Sequence, residues 1–168
     1  MDEASPQTTA NTVREWSPEK PVKVKNTDRI KANAVGFLSI NGNSAISFPD
    51  SSKIDDVLAF FDEIRNANGD RTVIVILDNF SAHRSKRTMA YAESINIRLV
   101  FLPPYSPHLN PIEFVWKSIK RAISKNRIVD RPHMTSLLEE RFLQEAGKPS
   151  YFAYWIGLFH GELLKIVG

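Results

Sequence analysis

Two acidic residues stand where regular elements would hold them rigidly. Asp78 follows Thr72 to Leu77 (Thr-Val-Ile-Val-Ile-Leu), a continuous apolar, β-branched run of the kind that forms a strand covered on both faces. A carboxylate at the C-terminal end of such a strand faces the cleft in which open α/β sheets bind their ligands. Glu113 comes two residues after Pro111, in the first turn of an amphipathic helix. Carboxylates are hard oxygen donors of the type that takes Mg²⁺ or Mn²⁺, and a chain with no cysteine excludes thiolate metal sites, disulfides and thiol nucleophiles. Each acid also has an ordinary reading. Asp78 could cap the turn after its strand together with Asn79 and Ser81, and Glu113 could serve the helix dipole or pair with Lys117 one turn on. Singly, neither acid decides between the two.

The elements around them define an α/β chain. With 168 residues, 42% of them hydrophobic, the chain can bury one core, which predicts a single domain over residues 1–168. Met1 to Arg29 is polar, carries Pro6, Pro18 and Pro21, and reads as loop. Ala34 to Ile40 and Ala45 to Phe48 flank Asn41-Gly42-Asn43, which predicts a hairpin. Ile54, Val57, Leu58, Phe61 and Ile64 share a helical face, with Ser51 or Ser52 as N-cap and Asn68-Gly69 as the stop. A helix over Ser85 to Ser94 and a second buried strand over Ile97 to Leu102 follow, then a proline-rich loop from Pro103 to Pro111. Ile112, Val115, Trp116, Ile119, Ala122 and Ile123 recur at helical spacing, and the segment from Asp130 onward reads as further helix packed on the sheet. The apolar run Tyr151 to Phe159 is far shorter than the roughly 20 residues that span a bilayer, so it reads as core. Met1 to Ser5 has no secretory pattern, and the expectation is a cytoplasmic protein without membrane contact.

The two strand ends read Leu-Asp-Asn-Phe-Ser-Ala-His (Leu77 to His83) and Phe-Leu-Pro-Pro-Tyr-Ser-Pro-His-Leu-Asn-Pro-Ile-Glu-Phe-Val-Trp (Phe101 to Trp116). In this combination the chain resembles the DDE-type transposases of the bacterial insertion-sequence (six-thirty group) and mariner superfamily. Residues 79–112 separate the two acids, a 34-residue spacing that this superfamily commonly uses between its second and third acids. Asp2-Glu3 resembles the family's first acidic pair, and Trp16-Ser17-Pro18 and the strand at Ala34 to Ile40 continue the likeness. The resemblance implies a ribonuclease H-like mixed sheet flanked by helices. It departs from the family in two places: the apolar strand that normally precedes the first acid is missing, and so is the upstream helix-turn-helix that recognises DNA.

What the resemblance implies about chemistry is specific. Asp2, Asp78 and Glu113 would be catalytic residues and ligands of two Mg²⁺ or Mn²⁺ ions, with Asp78 shared between them. The reaction is phosphoryl transfer: cleavage at an element end, then attack of the freed 3′-hydroxyl on target DNA. Three clustered acids repel one another, which raises some of their pKa values and couples metal binding to deprotonation.

DNA, as element ends and as target, is the implied partner, and a homodimer acting on opposite ends fits the same scheme. The enzyme would sit in the cytoplasm, on the nucleoid when DNA is bound.

A net charge of +3 is too small to name that partner, so local charge must carry the binding. Lys117, Lys120, Arg121, Lys125 and Arg127 form a basic stretch beside Glu113 where a DNA backbone would need neutralising. His83 could contact a phosphate or help position water, against a helix-start or loop histidine with an ordinary backbone hydrogen bond, and His108 could touch DNA or shape the proline-rich loop. Asn110 before Pro111 reads as a turn former, Trp116 as core, and Trp16 as a residue that could stack on a partner. Two other readings share these residues: a catalytically dead remnant that binds DNA or a partner transposase, and a ribonuclease H-like nuclease that cuts without joining.

Overall fold

A computed structural model of the protein describes residues 1–9, 18 and 28–148. Among them run strands β1 (Asp2–Ala4), β2 (Ala34–Phe37) and β3 (Ala45–Ser47), helix α1 (Ile54–Asn68), strand β4 (Val73–Leu77), helix α2 (Lys86–Ser94), strand β5 (Ile97–Phe101) and helices α3 (Ile112–Lys125) and α4 (Arg131–Ala146). β2 pairs antiparallel with both β1 and β3, and β4 pairs parallel with β5. The two portions meet at Met1, whose backbone nitrogen donates to the Ile76 carbonyl at 2.7 Å. The mixed α/β architecture expected from the sequence is therefore present. No helix among the described residues is long and apolar enough to cross a membrane. Trp16 and the Tyr151 to Phe159 run lie outside the described residues.

Two layers of helices sandwich the antiparallel strands, and alternation along β2 shows how. Val35 and Phe37 point into a core shared with Val57, Phe60, Phe61 and Ile64 of α1 and with Val73, Val75 and Leu77 of β4. Ala34 points the other way, into a core built by Ile112, Val115, Trp116, Ile119 and Ile123 of α3 and Met134, Leu138 and Phe142 of α4. The apolar spacing read from α1 and α3 predicts these faces, and truncating one of the largest members, such as Trp116 or Phe142, costs about 3–5 kcal/mol. The predicted hairpin joins β2 to β3, with Gly36 opposite Ile46. Ser85 caps α2 by accepting from the Thr88 N–H at 3.0 Å.

Three expectations need correction. Residues 1–29 are not loop throughout: Asp2–Ala4 forms a strand, too short to leave a periodic signal in the sequence. Helix α1 is capped at Lys53 rather than at Ser51 or Ser52; the Asp56 carboxylate reaches back to the Lys53 N–H at 3.0 Å and to the Ser51 hydroxyl. Strands β4 and β5 are covered on one face only, since Ile74 is 61% and Val100 47% exposed. Their apolar runs promise burial on both sides, but α3 and α4 pack over β1 and β3 and leave that side of β4 and β5 uncovered among the described residues.

Gly36 is where the strand and helix layers come closest. A Cβ built there would meet the Phe142 ring at 2.8 Å and the Trp116 ring at 2.9 Å. Gly36 is also the register partner of Asp2. Gly36→Ala is thus expected to destabilise the fold by about 1–3 kcal/mol through overpacking, a fall of several degrees in melting temperature by calorimetry; an unchanged Tm would show that the rings relax freely.

Candidate active site

Strand alternation sorts the two N-terminal acids onto opposite faces of β1. Asp2 lies opposite Gly36, on the side covered by α3 and α4, whereas Glu3 lies opposite Val35, on the side of α1 and α2. Asp78 follows β4 directly and continues the parity of Ile74 and Ile76, the same side as α3. Glu113 enters from the first turn of α3. Asp2, Asp78 and Glu113 thereby line one open cleft of about 450 Å³, closed on its remaining sides by Asn79, Phe80 and the loop from Leu102 to Asn110.

That loop is braced from both ends. The Asn79 amide donates to the Leu102 carbonyl at 2.5 Å, which ties the turn after β4 to the turn after β5, and the Asn79 side-chain oxygen accepts from Arg84 at 3.2 Å. Asn110 is 5% exposed, donates its N–H to the Pro107 carbonyl at 3.0 Å and accepts from the Glu113 N–H at 3.2 Å. It builds the turn that starts α3, as its place before a proline suggests. Tyr105, at the crest of the loop, has φ 57° and a fully exposed side chain. Nothing in the proline-rich sequence singles it out beyond the stiffness that Pro103, Pro104 and Pro107 impose.

The electrostatics of the cleft are those of crowded acids. Burial, then the nearby Glu113 carboxylate, with smaller pushes from Glu3 and Asp78, outweigh the pull of the chain's amino group and raise Asp2 to a pKa of about 7. Behind Asp78 sits His83, with its Nδ1 2.9 Å from Asp78 Oδ1 and its Nε2 2.7 Å from Glu3 Oε1. Burial pulls the His83 pKa down, but the hydrogen bond to Glu3 and the charges of Glu3 and Asp78 more than offset it, so the imidazole is held above its ordinary value. Donor atoms of Glu3, Asp78 and His83 lie within 4.8 Å of one another, and the ring already engages both carboxylates.

The candidate DNA-binding residues separate into two groups. Lys117, Lys120, Arg121 and Lys125 are exposed along α3, and Lys117 and Lys120 follow Glu113 by one and two helical turns on its own face. His108 is exposed in the short 3-10 turn Pro107–Leu109. His83, expected as a phosphate contact, is 0% exposed and cannot reach a backbone phosphate, because the turn after β4 folds its ring inward against two carboxylates. Glu3, read from the sequence only as a companion of Asp2, is its partner there; the period-2 alternation of a strand would have separated the two acids had so short a strand been legible.

Comparison with known proteins bears on the family and the fold. A family model described as DDE superfamily endonuclease matches residues 1–135. Over 57 residues the chain is 32% identical to an uncharacterized 39 kDa protein of insertion element IS630 from Shigella sonnei, a stretch amounting to 33% of this chain and 17% of that protein. In structure it resembles Mos1 in its strand transfer complex, with a TM-score of 0.65 at 19% identity over 94% of this chain and 49% of that one. It also resembles the catalytic domain of Mos1 mariner transposase, with a TM-score of 0.61 at 17% identity over 94% of this chain and 74% of that one. The chain thus spans about half the length of Mos1 in the strand transfer complex. Its antiparallel and parallel strands with their flanking helices match the ribonuclease H-like fold of that catalytic domain, and with four-fifths of its residues covered by the family model, the chain belongs to the DDE superfamily endonucleases.

Proposed function

We propose that the chain is the catalytic core of a DNA transposase, which cuts phosphodiesters at the ends of its element and joins the freed 3′ end to target DNA, its hydroxyl attacking a target phosphodiester and displacing a target 3′-oxygen. The observation that carries this reading is the convergence of Asp2, Asp78 and Glu113, from β1, the end of β4 and the start of α3, on one open cleft. The cleft is lined in part by an exposed aromatic residue, Tyr105, and adjoins the basic face of α3, features suited to a nucleic acid backbone.

The donor set fits divalent cations. All three groups are carboxylates, and burial, then the neighbouring Glu113 carboxylate, raises Asp2 to a pKa of about 7. Asp78 turns one oxygen, Oδ1, toward His83 and the Phe80 N–H, so Oδ2 is the oxygen left to serve the cleft. Two Mg²⁺ or Mn²⁺ ions held by Asp2, Asp78 and Glu113 would supply activation of the attacking hydroxyl and charge stabilisation at the leaving oxygen. Mos1 structures resembling this chain were determined with Mg and with Mn, which supports the same choice here. Lys117 and Lys120 neutralise phosphates flanking the scissile bond, and the Pro103–Pro111 loop fixes the cleft wall against which the strand is aligned. The paired-end arrangement of a Mos1 neighbour supports a homodimer acting on two element ends.

Cleavage of a DNA duplex bearing element ends by the purified chain with Mg²⁺ or Mn²⁺ tests the reading. Asp78→Asn and Glu113→Gln, which keep shape and remove charge, should each lower the cleavage rate by at least about a hundredfold without lowering Tm. If folded wild type cuts with neither metal, the chain is a non-catalytic member of its family. A product that is cut but never joined would make it a nuclease.

Asp2 gives a pH dependence. Its folded pKa of about 7 stands above the ordinary 3.8, so the protonated form favours the metal-free fold. That contribution is complete below pH 3.8 and is lost as pH rises through about 7. A cation needs the charged form. Affinity for Mg²⁺ should therefore weaken by up to about tenfold per unit as pH falls below 7, with close to one proton released per binding event at pH 6. Calorimetry in buffers of different ionisation enthalpy measures that proton, and Asp2→Asn should abolish its release.

A further inference from the structure

The geometry points to His83 as a positioning residue of the catalytic centre, which orients Asp78 through one ring nitrogen and holds strand β1, and with it Asp2, through the other. The inference rests on the reading of Asp2 and Asp78 as metal-binding acids and assigns a role to a side chain that touches neither substrate nor cleft. His83 is 0% exposed, while the Asp78 side chain is 53% and the Glu3 side chain 23% exposed. Exposure thus falls from the cleft inward, and the ring forms the floor beneath Asp78.

Three observations fix its orientation. The His83 backbone N–H donates to the Phe80 carbonyl at 3.0 Å, which sets the turn that turns the ring inward. Phe80 stands edge-on to the imidazole, with centroids 5.5 Å apart and planes at 80°. Both ring nitrogens then meet carboxylates, Asp78 Oδ1 at 2.9 Å and Glu3 Oε1 at 2.7 Å. A histidine that served packing alone would not need two acids, each of which loses hydration in being drawn to it.

The consequence for Asp78 is directional. Its Oδ1 accepts from His83 and from the Phe80 N–H at 3.0 Å, so rotation about the carboxylate is blocked and Oδ2 is aimed outward. The consequence for Asp2 runs through the backbone. β1 has three residues, and just before it Met1 donates to the Ile76 carbonyl and packs with Val73, Val75 and Leu77 of β4, so the Glu3 to His83 bond is a further tie between β1 and the β4 end. Strand geometry then fixes Asp2 relative to Glu3. One buried ring sets the separation of two acids that lie 76 positions apart in sequence, residues 2 and 78.

Mn²⁺ binding followed by electron paramagnetic resonance, alongside cleavage and thermal melting, tests this on the full chain. His83→Ala and the milder Glu3→Gln should each weaken Mn²⁺ binding and raise the Mg²⁺ concentration for half-maximal cleavage by about 10- to 100-fold, with KM for DNA unchanged. His83→Asn, whose amide can still donate to Asp78, should recover part of the loss. The double variant His83→Ala with Glu3→Gln should be no worse for Mn²⁺ than the worse single one. Folded variants whose Mn²⁺ affinity equals that of wild type overturn the proposal, even if Tm falls, because they reduce His83 to a structural residue. A rise in KM for DNA with metal dependence unchanged overturns it in favour of a DNA-contact role. Loss of all Mn²⁺ binding in His83→Ala but none in Glu3→Gln or His83→Asn overturns it in favour of direct ligation by the ring. Wild type that binds no Mn²⁺ at all removes the parent reading, and this proposal with it.

Discussion

Strand β1 is bonded to β2 along its whole length, and just before it the Met1 amino group donates to the Ile76 carbonyl of β4. The rest of the site depends on that three-residue wedge. It brings Asp2 toward Glu113 on one face and Glu3 toward His83 on the other, and with Met1 it links the three-stranded antiparallel sheet to the two-stranded parallel one. So short a strand has little pairing energy of its own. Its position is set by what lies above and below: the Trp116 and Phe142 rings against Gly36, and the buried histidine beneath Asp78.

A cluster of like charges opposes this construction. The Asp2-Glu3 pair, Asp78 and Glu113 come from three separate points in the chain, and burial, then the Glu113 carboxylate, raises the pKa of Asp2. The fold accommodates them unequally. Glu3 and one oxygen of Asp78 are satisfied internally by His83, whereas Asp2, Glu113 and the other oxygen of Asp78 line the open cleft. Under the proposed reading, acids held together in this way would favour a cation in the cleft, and their charge would repel a phosphate backbone until a cation arrives.

Much of this was legible in the sequence, and the parts that were not share a cause. The apolar periods of α1 and α3 and the two strands flanking α2 are local signals repeated over several residues, so they survive in a single sequence. Asp78 and Glu113 could be read because each is attached to such an element. β1 could not, since three residues carry no period, and the separation of Asp2 from Glu3 followed only once β1 was known to be a strand. The inward turn of His83 and the exposure of Ile74 and Val100 are tertiary facts: the first is decided by Phe80 and Glu3, the second by which strands α3 and α4 cover.

The central claim is that three carboxylates from three elements form one cation site, and locating Mn²⁺ by anomalous diffraction from soaked crystals tests it most directly. The account predicts density in the cleft bounded by Asp2, Oδ2 of Asp78 and Glu113, with the His83 ring still between Asp78 and Glu3. Mn²⁺ bound instead among Glu3, Asp78 and a displaced His83, with Asp2 and Glu113 unengaged, would contradict it.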